Sequence, residues 1–261
     1  MKIATFNINS INARLNTFIL WLRTTSPDVV LLQEIKTEFN NFPFFEINAE
    51  GYHAVVFGQK GYNGVAVLSK KNVHLLNENL PELQNSEARY LEVLYDDIVI
   101  SSVYMPNGNP LGSEKFDFKL KFMHAFNEHA QKLLKNHQKI IFGGDFNVIL
   151  SKKDVYDETP FLNNALTNED ARRYLTALKY LGYYDAFECL NLKDNGYTYW
   201  DYGPSAFSND FGMRIDYLFC SAFMAECLKN CQVDKTLRKQ ERPSDHTPLI
   251  AEFYIENEDK K

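Results

Sequence analysis

Several short apolar runs in this chain end in residues able to do chemistry. The densest ending is Gly143-Gly144-Asp145-Phe146-Asn147-Val148, which follows the buried-strand run Lys139-Ile140-Ile141-Phe142. The paired glycines are expected to let the chain turn sharply and bring backbone close to a ligand. Asp145 and Asn147 stand two residues apart and share a face in extended chain. A carboxylate beside a carboxamide at a strand end suits metal-assisted chemistry on an anion. It equally suits an Asx-rich turn that caps the strand.

Comparable endings recur along the chain. If they converge, one pocket holds Asn7, Glu34, Tyr104, Asp145, Asn147, Asp216, Asp245 and His246. Such a carboxylate set favours a hard cation, Mg²⁺ over Zn²⁺, because oxygen ligands dominate and no thiol is nearby. His246 can change protonation near neutrality, and Asp216 could orient its imidazole and stabilise the cation. Asn and Tyr side chains add hydrogen bonds for an anionic oxygen. The equipment fits hydrolysis of a phosphate ester. Plain alternatives stand beside it: His246 before Thr247-Pro248 as a turn histidine, Glu34 as a surface acid, Tyr104 as packing. Asp216 inside an apolar strand is harder to set aside, since a buried acid needs a partner.

The elements that must position these residues follow from periodicity. Residues 2–8 read as a strand. Leu15, Phe18, Ile19 and Leu22 form a helical stripe that Pro27 stops, and 29–32 is a buried strand delivering Glu34 past its end. A right-handed crossover would put Asn7 and Glu34 on one edge of a sheet. Strands are expected at 53–57, 65–68, 90–94 and 98–104, with a hairpin turn over 58–64. The spacing predicts a helix over 115–135, with Phe116, Leu120, Met123, Ala130 and Leu134 inward. A long loop spans 150–166, and Thr167 is the expected cap of the next helix, which Gly182 stops. A strand over 214–219, a short helix near 222–228, and strands at 232–235 and 249–254 complete the chain. The 98–148 stretch echoes 1–34 as strand, helix, strand, so two similar halves should meet at one edge. Many short strands with interleaved helices suggest two packed sheets with helices outside, one α/β domain over 1–261 with a frayed tail at 256–261.

Composition sets the outer bounds. At 261 residues and 45% hydrophobic, the chain can build a substantial core, rich in aromatics given 20 Phe and 15 Tyr. No apolar run approaches the roughly 20 residues of a membrane span, and the first residues read as a strand and not a signal peptide. A cytoplasmic protein is expected, nucleoid-associated if bacterial. Cys189, Cys220, Cys227 and Cys231 match no zinc spacing and read as reduced, packed thiols, Cys227 and Cys231 facing each other on one helix. The net charge of −6 argues against non-specific coating of nucleic acid. It leaves room for a basic rim around an acidic centre, with Lys36, Lys60, Arg89 and Lys115 as candidates.

The assembled strings resemble the exonuclease III branch of the AP endonucleases, within the endonuclease/exonuclease/phosphatase superfamily. The carrying segments are 3–15 (IATFNINSINARL), 31–37 (LLQEIKT), 61–69 (GYNGVAVLS), 103–108 (VYMPNG), 143–148 (GGDFNV), 213–221 (MRIDYLFCS) and 243–248 (PSDHTP), in the family's order over nearly the whole chain. The resemblance implies a four-layer α/β sandwich with the site at one edge of both sheets. It implies Glu34 as principal metal ligand with Asn7 beside it, Asp145, Asn147, Asp245 and His246 completing the metal environment, and Mg²⁺ as the ion, Mn²⁺ being able to substitute. Asp145 would deprotonate the attacking water, a proton-donor role also being proposed for this position, with Asn147 orienting that water. His246, paired with Asp216, would contact the scissile phosphate, and Tyr104 would lie near it. The implied reaction is cleavage 5′ to an abasic site, with 3′→5′ exonuclease and 3′-phosphatase activities in many members. The partner would be duplex DNA with abasic sites or blocked 3′ ends, met by a monomer. Tyr199, Trp200 and Met213 would line the pocket for the flipped sugar, with Arg14 and Asn107 as further substrate contacts. Asn12 stands where members often carry Arg, and the Asn107-Gly108-Asn109-Pro110 loop lacks the arginine that some insert into DNA. The competing readings are a superfamily relative acting on an inositol phosphate or on non-specific DNA, and an inactive binding module.

Overall fold

The computed structural model describes residues 1–83, 86–203 and 205–255, so the tail at 256–261 lies outside the described residues. Its first unit is β1 (Lys2–Asn7), α1 (Ile11–Thr25) and β2 (Val29–Gln33), with β1 and β2 parallel and Asn7 opposite Gln33. Ser10 caps α1 by accepting from the Ala13 amide at 3.4 Å. The chain then forms α2 (Phe44–Ala49) and the antiparallel hairpin β3 (His53–Phe57) and β4 (Val65–Ser69), and β4 pairs with β2. Next come β5 (His74–Asn77), β6 (Tyr90–Tyr95) and β7 (Ile98–Tyr104).

The second strand-helix-strand unit is β7, α3 (Glu114–Asn136) and β8 (Ile140–Asp145), again parallel, with Tyr104 opposite Asp145. After it come α4 (Glu169–Leu181), β9 (Tyr183–Asp185), α5 (Ala186–Leu190), β10 (Asp216–Ser221), α6 (Ala222–Glu226), β11 (Leu228–Val233) and β12 (Leu249–Phe253). One sheet runs β11-β12-β1-β2-β4-β3 and the other β5-β6-β7-β8-β10-β9. In each, a central parallel pair is flanked by antiparallel strands in the same relative order, so the expected likeness of the halves is a topological repeat.

Three apolar layers hold the sandwich. Ile3, Leu31, Val67, Ile100, Ile141 and Leu218 pack between the sheets. Phe18, Trp21 and Leu22 of α1 cover one outer face, and Phe122, Met123 and Phe126 of α3 with Leu175 and Leu178 of α4 cover the other. The sheets are thus buried on both faces, which is why β2, β4 and β8 show no alternation of burial.

Several boundaries differ from expectation. Gly143 and Gly144 lie inside β8 and make no turn. A Cβ on Gly144 would sit 1.8 Å from the Val103 carbonyl oxygen, and one on Gly143 would sit 2.5 Å from Leu31 Cδ1, so both are close-approach glycines. Asn168, not Thr167, caps α4, accepting from the Asp170 amide at 2.9 Å. Cys227 ends α6 while Cys231 lies in β11, so they share no helix, and Cys189 is exposed. The short elements α2, β5, β9 and α5 were not predicted. β5 and β9 are sheet-edge strands, where little burial pattern accumulates.

Candidate active site

Both parallel pairs point their carboxyl ends at the same edge of the sandwich. That edge brings together Asn7 at the end of β1, Glu34 just past β2, Tyr104 closing β7 and Asp145 closing β8. Asp216 opens β10 directly opposite Asp145, and Asp245-His246 lies on the approach to β12. Glu34, Asn9 and Asn147 hold left-handed backbone at φ 49°, 48° and 50°. Such conformations in non-glycine residues cluster where the surrounding structure holds them for function.

Hydrogen bonds knit these groups into one network. The Asn7 carboxamide donates to Glu34 Oε1 at 2.8 Å and to Asp145 Oδ2 at 2.9 Å, bridging the two sheets. The Asn147 backbone N–H donates to Asp145 Oδ1 at 2.9 Å, so the Asx turn and the candidate carboxylate are the same feature. Asn147 Nδ2 donates to the Met105 carbonyl at 3.0 Å, and Asn107 Nδ2 donates to Asn147 Oδ1 at 3.3 Å. His246 Nδ1 lies 2.8 Å from Asp216 Oδ2, and its Nε2 is 3.7 Å from Asp145 Oδ2. Asn9 Nδ2 donates to Asp245 Oδ1 at 2.9 Å.

The electrostatics follow from burial and proximity. Burial raises the Asp145 carboxyl, and Asp216 and Glu34 add to this against the opposing pull of His246 and Asn7. Burial would lower the His246 imidazole, but Asp216, Asp145 and Asp245 outweigh it and hold it up at about 10, so the ring is cationic at neutrality. Burial disfavours Glu34 ionisation, yet the Asn7 amide and the Lys36 ammonium prevail and lower its pKa. Asp245 is likewise lowered, burial being overcome by His246 and Asn9. Burial, with Glu34 and Asp145 close by, keeps the Tyr104 hydroxyl protonated.

The network forms the floor of a cavity of about 440 Å³, lined also by Tyr199, Met213, Ile215, Asp201 and Asn107. Tyr199 bridges the neighbouring backbones of Met213 and His246, and its ring lies 5.0 Å from the imidazole. Trp200 differs from expectation. It is wholly buried, packed edge-on against Phe207, with its indole N–H donating to Asp210 Oδ1 at 3.1 Å. Ile215, not singled out from the sequence, takes the place on the apolar wall. The half-buried Arg14 guanidinium donates to the carbonyls of Asn9 and Pro243 and to the Tyr202 hydroxyl, tying surface loops together. Of the expected basic rim, Lys36 reaches the floor, 2.8 Å from Glu34 Oε2. Arg89 stacks over the Tyr104 ring at 4.7 Å, while Lys60 and Lys115 are exposed.

Lys119 of α3 is a missed contributor. Its ammonium is buried and donates to the carbonyls of Asn147 at 2.6 Å, Asn107 at 3.0 Å and Ala165 at 3.2 Å. It therefore fixes three points on the β7–α3 and β8–α4 connections around the site, although burial pulls its pKa down to about 7. A lysine within an amphipathic helix carries no sequence signal for this.

A divalent cation fits the donor set. The facing groups are carboxylate and amide oxygens, with no cysteine among the described lining residues. The Asp145 and Asp216 carboxylates lie beside the His246 ring, with their polar atoms within 4.8 Å of one another. Asp216 Oδ1 is buried without a partner, and the Lys36 ammonium already sits against Glu34 where positive charge is favoured.

This geometry agrees with what the chain is similar to. The model of the Endonuclease/Exonuclease/phosphatase family matches residues 4–246. The chain belongs to that family. Family members depend on divalent metals. Exodeoxyribonuclease III of Haemophilus influenzae is 30% identical over 266 aligned residues, covering 97% of this chain and 100% of that protein. Among solved structures, the 3′ phosphatase NExo from Neisseria, bound to a product DNA hairpin, superposes with a TM-score of 0.95 at 34% identity, covering 98% of this chain and 100% of that one. An AP endonuclease from Archaeoglobus fulgidus gives a TM-score of 0.94 at 33% identity, with coverage of 98% and 100%. The fold is therefore the four-layer sandwich of the AP endonucleases, and the chain is a hydrolase of the exodeoxyribonuclease III and AP endonuclease type. Among the described residues, no helix is long and apolar enough to cross a membrane.

Proposed function

We propose that this protein is a Mg²⁺-dependent DNA repair phosphodiesterase that cleaves duplex DNA 5′ to abasic sites and also trims blocked or intact 3′ ends. The observation that carries the reading is the convergence of Asn7, Glu34, Asp145, Asp216 and His246 from both sheets beneath an apolar wall of Tyr199, Met213 and Ile215. A metal ion held by Glu34 and Asn7, with Asp145 and Asp245 at hand, would polarise the phosphate and offset its charge.

The chain's own groups supply the rest. Asp145, raised by burial and anchored by two hydrogen bonds, is placed to take a proton from an attacking water. Asn147, held by Asn107 and Met105, orients that water. Cationic His246, braced by Asp216, hydrogen-bonds a phosphate oxygen as negative charge grows. The P–O3′ bond breaks, leaving a 3′-hydroxyl on one strand segment and a 5′-phosphate on the other. The apolar wall admits a flipped sugar lacking its base.

The decisive experiment incubates the protein with an abasic-site duplex and an intact duplex, each with Mg²⁺ and with EDTA. Metal-dependent internal incision only at the abasic site, with any other cleavage limited to 3′ ends, is expected, and Glu34→Ala should abolish it at ordinary Mg²⁺. No cleavage of either DNA, with turnover of an inositol phosphate, would move the protein to another branch of the family.

A further inference from the structure

The cavity extends beyond what a base-less sugar needs. Past Tyr199, Met213 and Ile215 its wall continues to Tyr156 and Phe211. Their rings stack on each other with centroids 5.0 Å apart and planes 27° apart. They nevertheless remain 42% and 46% exposed, in the cavity that holds Asp145 and His246. The shelf is rigidly mounted. The Tyr156 N–H donates to the Gly212 carbonyl at 3.0 Å, and Val155 bridges Met213. Two residues back, Asp154 accepts from Arg214 Nε at 2.8 Å. Beneath it, Val155, Leu166, Met213 and Ile215 form an apolar cluster separate from the main cores. A fixed, exposed aromatic surface beside reacting groups marks a binding surface. The cavity volume lies within the roughly 300–1,000 Å³ of sites that enclose a whole small molecule.

We infer that Tyr156 and Phe211 are specificity residues that stack the base of the nucleotide lying 3′ to the scissile phosphate. The inference rests on the DNA phosphodiesterase reading above. Hydrolysis adds water oxygen to phosphorus and breaks the P–O3′ bond, with the departing 3′-oxygen taking a proton. The part that enters the cavity is whatever lies downstream of that phosphorus. For a 3′-phosphate end it is nothing, for an abasic site a bare sugar, and for an intact 3′ end a complete nucleoside. Only the last presents a base to the shelf. Because every base has a π face, such stacking is tolerant of sequence.

The test uses the full chain with Mg²⁺ on one duplex in three forms: a 3′-phosphate end, an internal abasic analogue, and an intact recessed 3′ end. The readout is the ratio of kcat/KM for nucleotide release to kcat/KM for 3′-phosphate release. Phe211→Ala and Tyr156→Ala should each lower this ratio by roughly 5- to 150-fold, the span of losing one stacked base, and Phe211→Tyr should restore it. An unchanged ratio in alanine variants that melt like the parent overturns the inference. So does a parent enzyme that acts on the first two substrates but releases no nucleotide. A parent inert on all three overturns the DNA reading itself. Inhibition of the parent needs no variant: a deoxynucleoside 5′-monophosphate should inhibit abasic incision at least about 5-fold more strongly than deoxyribose 5-phosphate, and equal inhibition overturns the inference.

Discussion

Under the proposed mechanism, single residues divide into those that react and those that hold. Asp145 and His246 face each other across 3.7 Å on the cavity floor, each with its own anchoring partner. Asn at 145 keeps the shape of Asp, and Asn at 246 keeps a polar group near the Nδ1 position while losing the imidazole; under the proposed mechanism each removes a proton-carrying or charged group. Asp145→Asn and His246→Asn should therefore lower single-turnover cleavage by about 10²–10⁴-fold with little change in DNA affinity. A retained cleavage rate in either variant would remove that residue from the chemistry. Trp200 illustrates the opposite case. The family resemblance made both Tyr199 and Trp200 candidates for the sugar pocket. Extended chain sends neighbouring side chains to opposite sides, so only Tyr199 reaches the cavity while Trp200 is wholly buried. Trp200→Ala should act on stability, costing about 3–5 kcal/mol as a large core truncation. Thermal or urea unfolding measures this, and a variant as stable as the parent but with relaxed abasic preference would return Trp200 to the pocket.

Among the elements, the 150–166 loop is the one whose placement is least expected from its sequence. A polar stretch of that length has no reason of its own to lie still. It is pinned by a buried triad in which the Arg214 guanidinium bridges Asp154 of the loop and Asp185 at the end of β9. The same guanidinium stacks on the Tyr217 ring at 4.7 Å. Asp154 also accepts from the Ser151 N–H at 2.9 Å, closing a local turn. Arg214→Met would leave two buried carboxylates without their cation. The expected loss is about 3–5 kcal/mol of folding stability, typical of removing one partner from a buried pair. The loop, which carries part of the cavity wall, should also become open to proteolysis. A shift in the urea midpoint equivalent to under about 1 kcal/mol would mean that the triad is not what holds it.

At the scale of the whole molecule, the proposed function requires a chain of net charge −6 with an acidic cavity floor to hold a polyanion. If basic groups near the cavity such as Lys36 and Arg89 contact DNA phosphates, duplex affinity should fall steeply with salt. A log–log slope of about −0.9 per phosphate contact is expected. Affinity that stays flat between low and moderate salt would exclude this mode. The strand-helix-strand repeat and the placement of Asn7 and Glu34 at one sheet edge were readable in the sequence, whereas the register that sets Tyr104 opposite Asp145 was not. The first two depend on local periodicity and on the fixed hand of the crossover, which any short stretch of chain carries. His246 and Asp216 were readable as chemistry-bearing types, because an acid within an apolar strand demands a partner. The contact between the sheets was decided in three dimensions. Only there does the Asn7 amide span Glu34 and Asp145, and does Lys119 gather three carbonyls under the loops. Gly143 and Gly144 show the same limit: glycine permits either a turn or a close approach, and the neighbours Val103 and Leu31 select the latter. Residue type and spacing thus determined which groups could react, whereas long-range packing, invisible to local pattern, decided which of them meet, which are walled in, and where the loops come to rest.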